Sequence, residues 1–341
     1  LIPATDQTEW TRWLAPVPHD FYHTAAFHLF SEHNGEGQAF LAVYGSCTRY
    51  LAWPYLLRPI DQAPDLFDVT SVYGYPGPLA GGSVDDAFLQ RSHAHLAALW
   101  REQHAVYAFT RFHPLLENHR WSTRSGLQPG GETVSLDLTL PEPDNWRHYQ
   151  ASLRNRINRG RRLGIVTEPD PDWSHLGDFV RFYHAAMRRN GAASRYFFSF
   201  RYFQRLREAL GAHAFLLLAR LGDRLAAAAL LVERGGIVQN HFCMNNPECL
   251  ELGGSKVLLD DVRQWAKARG NRVFHLGGGR GSTPDTLFAF KAAFSDRRHP
   301  FFTGRWVLDA GRYDQLSAGR LTGGWFPSYR AELAAPAAAP R

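Results

Sequence analysis

The sequence predicts an α+β fold built twice. Three observations carry this. Short β-rich runs alternate with helical stretches along the 341 residues, the two halves pass through similar elements in the same order, and Pro141-Glu-Pro-Asp144 breaks the pattern between them. Domains commonly run to about 100–200 residues, so the length accommodates two. The expected division is 1–144 for the first domain, 145–325 for the second, and 326–341 for a flexible tail that ends in the Ala/Pro-rich run Ala334–Arg341. Hydrophobic residues make up 45% and charged residues 21%, which supplies a core and excludes disordered and fibrous classes.

In the first half, Gln38–Tyr44 and Tyr50–Leu57 read as strands around a turn at Gly45-Ser46. Asp86–Gln103 has helical spacing, and Ala105–Phe112 the aromatic and β-branched content of a strand. Thr133–Leu138 follows Gly130-Gly131 as another strand. The second half opens with a helix over Trp146–Leu163, then a strand and the acidic, Pro-rich turn Glu168–Asp172. Helices around His175–Arg189 and Phe200–Leu210 come next. Strands at Ala214–Leu221 and Arg224–Glu233 flank Gly222-Asp223, a hairpin signal. A strand at Gly236–Met244, a helix at Ser255–Arg269, a strand at Arg272–Leu276, three glycines and a short helix ending near Phe294 complete the series.

The 38 Lys and Arg against 32 Asp and Glu leave a charge of +6, compatible with a phosphate-rich partner such as tRNA, a nucleotide sugar or a coenzyme. Many basic proteins bind none of these. Cys47, Cys243 and Cys249 are odd in number and lack ligand spacing, so no metal is expected and a reducing cytoplasm is the simplest setting. The longest apolar candidate, around Ala214–Val232, is cut by Arg220, Asp223 and Arg224, short of the roughly 18–20 residues of a spanning helix. No integral membrane association is expected. The opening Leu-Ile-Pro-Ala-Thr-Asp-Gln has neither a basic start nor an apolar h-region, so no export signal is expected.

The stretch most suggestive of chemistry is Asp285-Thr-Leu-Phe-Ala-Phe-Lys-Ala-Ala-Phe294. On a helix, Leu287, Phe288, Phe290 and Phe294 share a broad arc, and Lys291 falls inside it. Such a lysine either snorkels along its aliphatic stem or is kept dry for a purpose. A dry ammonium stabilises the oxyanion of an acyl-transfer intermediate far better than one in water. Just upstream, a strand ends in Gly277-Gly278-Gly279, which is either bare backbone for close substrate approach or a flexible turn. His275 in that strand reads as a core histidine. No phosphate-binding loop, dinucleotide fingerprint, nucleophile elbow or His-Glu-x-x-His motif is present, and neither Cys243 nor Cys249 has the surroundings of a nucleophile.

Five arginines fall between positions 154 and 162. On a helix Arg154, Asn158, Arg161 and Arg162 line one face while Leu153 and Ile157 turn inward. That face either binds phosphates or is simply solvated. Asp68-Val-Thr-Ser-Val-Tyr-Gly-Tyr-Pro-Gly-Pro78 reads as a loop whose Tyr73 and Tyr75 suit ligand contact, or as an inert turn.

Taken in order, Tyr73–Pro78, Leu153–Gly164, Leu276–Gly279 and Leu287–Phe294, followed by Gly304-Arg305 and Tyr313, resemble the Fem family of peptidoglycan-bridge aminoacyltransferases and its FemAB-like relatives. The resemblance spans about residues 20–316 and is strongest in Phe290-Lys291-x-x-Phe294. It implies two tandem GNAT-like domains with the active cleft mainly in the second. It also implies that Lys291 stabilises the tetrahedral intermediate with the Phe290 backbone nearby, and that the basic helix holds phosphates of donor or acceptor.

The implied activity takes an aminoacyl group from aminoacyl-tRNA, as co-substrate and partner, to the free amine of a small-molecule or peptide acceptor, with no cofactor. Asp68 and Tyr73 are candidate proton acceptors, and substrate assistance is an alternative. Leu250-Glu-Leu-Gly-Gly-Ser255 stands where a coenzyme A-binding GNAT carries its pyrophosphate motif, but it lacks the leading basic or amide residue and ends in serine. An acyl-CoA-dependent N-acyltransferase is therefore the second reading, and a non-catalytic tRNA- or nucleotide-binding module the third.

Overall fold

Each half of the chain lays down an antiparallel meander and then adds one parallel strand across a helix. The computed structural model describes residues 1–280, 284–320 and 327–330. In the first half come β1 (Ile2–Pro3), α1 (Gln7–Leu14), α2 (Ala25–His33), β2 (Gln38–Ser46), β3 (Arg49–Ile60), β4 (Ala63–Thr70), β5 (Leu79–Gly81), α3 (Asp86–Glu102) and β6 (Ala105–Arg111). Strands β2, β3 and β4 form the meander, and β4 pairs in parallel with β6. The apolar face of α3 (Phe88, Leu89, Leu96, Trp100) packs on Trp53, Tyr55 and Val69 of the sheet.

The second half contains β7 (Leu127–Asp137), α4 (Glu142–His148), α5 (Ala151–Arg162), β8 (Ile165–Pro169), α6 (Leu176–Arg189), α7 (Phe200–Leu210), β9 (Ala214–Leu221), β10 (Arg224–Arg234), β11 (Ile237–Asn245), α8 (Gly254–Ala268), β12 (Val273–Gly278), α9 (Thr286–Ala292), β13 (Arg298–Val307) and α10 (Ala310–Ser317). Strands β8 to β11 are antiparallel neighbours, and β11 pairs in parallel with β12. Apolar residues of α5, α8 and α9 pack together with Leu217, Ala229, Leu231, Val238 and Phe274 of the strands. Phe242 of β11 instead meets an aromatic cluster from α6 and α7, with Tyr183 at 5.6 Å and Phe203 at 5.5 Å.

The chain divides into two units, but not at the expected residue. One unit comprises Leu1–Pro18, Tyr22–Pro129 and the chain from Phe301 on; the other comprises His19–Phe21 and Gly130–Pro300. The difference comes from pairing. β7 runs antiparallel to β12 and joins the second unit, while β13 runs antiparallel to β6 and joins the first. The expected first domain, 1–144, thus gives its last strand, β7, to the second unit, and the expected second domain gives β13 to the first, a long-range exchange that local sequence signals do not encode. The expected helix over Trp146–Leu163 is also two helices: the chain is extended at Tyr149 and Gln150, where buried Tyr149 sends its hydroxyl to Asp260 of α8 at 2.8 Å. Asp68 belongs to β4, so the loop read from Asp68 begins only after Thr70. The tail Ala334–Arg341 lies outside the described residues.

Candidate active site

The second unit's sheet opens where its parallel strands part. Pairing of β11 with β12 runs from Ile237↔Val273 to Gln239↔His275 and stops, although β11 continues to Asn245 and β12 to Gly278. On the far side of β12 the register shifts between His275 and Gly277, and Gly277 takes a φ of +77°. A β-bulge of this kind bends a strand and re-aims the residues beyond it. In the wedge, Asn240 carries a buried Oδ1 with no hydrogen-bond partner among the described residues. His241, the extra residue of a bulge against β10, is kept neutral because burial lowers its pKa to about 3.

Lys291 reaches this opening from the last turn of α9. Asp285 fixes that helix: its carboxylate accepts from the Phe288 N–H at 2.9 Å and pairs with Arg280 at 2.7 Å. Phe294, buried, anchors the other end. The Lys291 ammonium donates to the Gly278 carbonyl at 2.7 Å, and a Cβ at Gly277 would stand 3.3 Å from Nζ. Burial lowers the Lys291 pKa to about 8, against the opposing pull of Asp285 and Cys243. The ammonium is therefore dry, positioned by backbone and not neutralised by a direct carboxylate contact among the described residues. The glycine-lined strand end and the desolvated reading of Lys291 meet at one place.

A second lysine shares the opening, and the sequence reading passed over it. Lys256, in the first turn of α8, lies with its Nζ 5.5 Å from the centroid of the Phe290 ring. Burial lowers its pKa, and the charge of Arg156 on α5 lowers it further. Gly160 lets α5, which carries Arg156, settle on α8: a Cβ there would be 2.6 Å from a Val257 methyl. Between the lysines, Cys243 of β11 has its thiol pushed up to about 12 by burial, against the pull of Lys291 and Lys256, so it is neutral at pH 7 and no nucleophile. The missed signal was compositional. The chain has three lysines and 35 arginines, and two of the three lysines act on Cys243.

The other expected residues scatter. Gly277, Gly278 and Gly279 are half-buried at the β12 end, and Phe290 packs its ring 5.5 Å from Phe294. On α5, Arg154 donates to the carbonyls of Arg147 and Tyr149, and Arg161 forms ion pairs with Asp260 and Asp261 at 2.7 and 2.6 Å. Only the side chains of Asn158 and Arg162 on the four-residue face are left exposed without a side-chain hydrogen bond or ion pair among the described residues. Tyr73, Tyr75 and Asp68 belong to the first unit. There Asn118 pins the tyrosine loop through the Pro76 carbonyl at 2.7 Å, Tyr75 packs edge-on to Phe301 at 5.3 Å, and Tyr73 is 43% exposed. Asp68 is fully buried between Arg58 and Arg330, at 2.9 and 2.6 Å, a structural ion pair rather than a base beside a substrate.

A separate groove of about 940 Å³ is lined by Trp173, Phe215 and Trp265 and by Arg207 and Arg269. Its arginines are committed to the Pro171 and Asp172 carbonyls and to Glu233. No group of three or more His, Cys, Asp or Glu among the described residues could hold a metal. None of the described helices is long and apolar enough to cross a membrane.

Residues 147–291 match the acetyltransferase (GNAT) domain family, a span that opens in α4 and closes on Lys291. No curated protein matches the sequence. Among solved structures, FemX superposes with a TM-score of 0.66 at 12% identity, over 92% of this chain and 98% of FemX. The C-terminal domain of a proposed lysylphosphatidylglycerol synthetase from Agrobacterium fabrum gives a TM-score of 0.56 at 17% identity, over 89% of this chain and 92% of that one. A conserved protein of unknown function from Bacteroides thetaiotaomicron gives 0.54 at 11%, over 89% and 97%. The chain has a FemX-like α+β fold, and the stretch of it that matches the acetyltransferase (GNAT) domain family closes on Lys291.

Proposed function

We propose that the chain is an aminoacyltransferase that moves an aminoacyl group from aminoacyl-tRNA to the free amine of a peptide, peptidoglycan-precursor or natural-product acceptor. The observation that supports it is the dry Lys291 ammonium, held on the Gly278 carbonyl where β11 and β12 part. The acceptor amine attacks the ester carbonyl as its free base, and negative charge builds on the carbonyl oxygen beside Lys291. A positioned ammonium in low dielectric stabilises that charge without reorganising. As the C–O bond breaks, the proton shed by the amine goes to the departing ribose oxygen, leaving an amide and a deacylated tRNA with its hydroxyl restored. Lys291, the glycine backbone and substrate positioning supply the catalysis. An aminoacyl-tRNA donor places the reaction in the cytoplasm.

The acetyltransferase family match favours a second reading, an acyl-coenzyme A donor on the same opening. The departures at Leu250–Ser255 weigh against it. Incubating the protein with charged tRNAs, or with acyl-coenzyme A, and an amine mixture separates the two. RNase-sensitive amide formation supports the first reading, and release of free thiol supports the second. Salt-dependent tRNA binding without turnover of either donor leaves a binding module. Lys291→Met is expected to lower turnover about 10²–10³-fold with the fold intact, the usual cost of one oxyanion donor. Near-wild-type turnover in that variant overturns the mechanism.

A further inference from the structure

Asn240 is the first residue of β11 beyond its last pair with β12, Gln239↔His275. On its other side it pairs with Leu231 of β10, which belongs to the core formed with α5, α8 and α9. Directly paired residues share a face of a sheet, so the Asn240 side chain lies on the face that α9 covers. The bulge at His241 shifts the alternation by one, and the next residue on that face is Cys243, on which Lys291 and Lys256 both act. The carboxamide is therefore set between the apex of the wedge and the thiol beside the Lys291 ammonium. Its Oδ1 is buried and has no hydrogen-bond partner among the described residues. A carboxamide oxygen only accepts, so it calls for an N–H or O–H that those residues do not provide. Lys291 does not provide it either, because its ammonium donates to the Gly278 carbonyl. Left unmet in the interior, such an acceptor is destabilising, and native structures hold few of them.

We propose that Asn240 selects the acyl group: its Oδ1 accepts a hydrogen bond from the α-amino group of an aminoacyl donor, so that the opening takes aminoacyl groups in preference to plain acyl groups. The proposal rests on the reading of Lys291 as the partner of the oxyanion, and it names the acyl class that this opening receives. The reacting carbonyl must lie beside the ammonium, and the α-amino nitrogen is two bonds from the carbonyl carbon. A group that recognises that nitrogen has to stand next to Lys291 along the wedge, which is where Asn240 stands. An amino group donates whether it is neutral or protonated, and the neighbouring cations favour its neutral form. A neutral amide oxygen suits this guest better than a carboxylate, which would pair with Lys291 and quench the charge that the reaction needs. An acetyl or propionyl group has no donor at that position and leaves Oδ1 unmet. A site built around a hydrogen bond rejects the analogue that lacks it.

Alanyl and propionyl groups differ only in that amino group, so the pair isolates it. Stable amide analogues of the donor end, 3′-alanylamido- and 3′-propionylamido-3′-deoxyadenosine, report affinity by calorimetry. Alanyl- and propionyl-CCA trinucleotides, and the matching coenzyme A thioesters, report kcat/KM on either carrier. The wild-type protein should favour alanyl over propionyl about 10–100-fold in both measures, the usual cost of leaving a buried acceptor unpaired. Asn240→Leu, close in shape, should remove the advantage of the alanyl group and bring the ratio to within about threefold. The urea midpoint of Asn240→Leu should hold or rise, because the variant removes an unmet polar atom; a fall would reveal an amide bonded within the protein and overturn the proposal. Equal use of the two groups by the wild-type protein, or a preference that persists in Asn240→Leu, also overturns it and leaves the Lys291 reading standing. An analogue preference that vanishes in Asn240→Leu while Lys291→Met keeps full turnover upholds the selection at Asn240 and removes the catalytic reading instead.

Discussion

The two units place the same three elements in the same order and then use them oppositely. In the first, β4 leads through α3 to the parallel strand β6; in the second, β11 leads through α8 to β12. At the start of α3, Asp85 caps the Phe88 N–H at 2.7 Å and pairs with Arg49, and Asp86 adds a second acid to the first turn. At the start of α8 stand Gly253 and Lys256. β4 pairs with β6 up to Val69 and ends at Thr70, whereas β11 outruns its pairing from Asn240 to Asn245. Beside the first pair the chain supplies its own ions: Asp68 lies between two arginines, under Tyr329. Beside the second pair stand a buried lysine ammonium, a half-buried one and a neutral thiol. The buried acid of the first unit is met by two arginines, and the two lysines of the second have no carboxylate partner among the described residues.

The largest test of this contrast strikes the first unit. Asp68→Asn leaves Arg58 and Arg330 facing a neutral amide in the interior. Removing one partner of a buried ion pair usually costs about 3–5 kcal/mol, and the partial exposure of both arginines argues for the lower end of that range. Urea unfolding should read that loss while donor KM stays at the wild-type value. An unchanged stability together with a collapsed turnover would reverse the assignment, placing Asp68 in the chemistry and the lysines outside it.

A middle-sized effect concerns pH. With a Lys291 pKa of about 8, the active ammonium is present below pH 8 and disappears above it, so kcat should fall along an alkaline limb, tenfold per unit once well past the midpoint. Stability should move the other way. Between pH 8 and about 10.5 the unfolded chain retains a proton at Lys291 that the folded chain has lost, so Lys291 contributes a stability that rises with pH over that window. Lys291→Arg, always charged, should push the alkaline limb upward, and Lys291→Met should remove the stability rise. An alkaline limb that stays in place in Lys291→Arg belongs to some other group.

Much of the fold was legible because it is local. The hairpin at Gly222-Asp223, helix α7 over Phe200–Leu210 and strand β9 over Ala214–Leu221 follow from turn chemistry and period alone. The exchange of β7 and β13 was hidden because pairing across more than a hundred residues leaves no periodic mark. The same division holds at the site. Lys291 was visible as a charge inside an apolar arc. The basic face of α5 is divided by a pairing that helix geometry cannot know, since Arg161 answers to Asp260 and Asp261, about a hundred residues away. Lys256 sits one residue past the Gly-Gly-Ser stretch that drew attention, and only the tertiary approach of Arg156 and Phe290 gives it meaning.

The smallest effect is the sharpest, because it isolates a single contact. Gly277 has a φ of +77°, and a Cβ there would stand 3.3 Å from the Lys291 ammonium; Gly270 has a φ of +82° with nothing within 4 Å of its Cβ. Alanine at either position meets the same backbone strain, about 1 kcal/mol. Both variants should therefore lose a similar, small amount of stability. Only Gly277→Ala should also lower turnover, several-fold, because its methyl displaces an ammonium that must meet the developing oxyanion at hydrogen-bond distance. Equal turnover in the two variants would mean that the glycine end of β12 is a turn and not a wall of the site, and the difference drawn between the two units would then rest on the lysines alone.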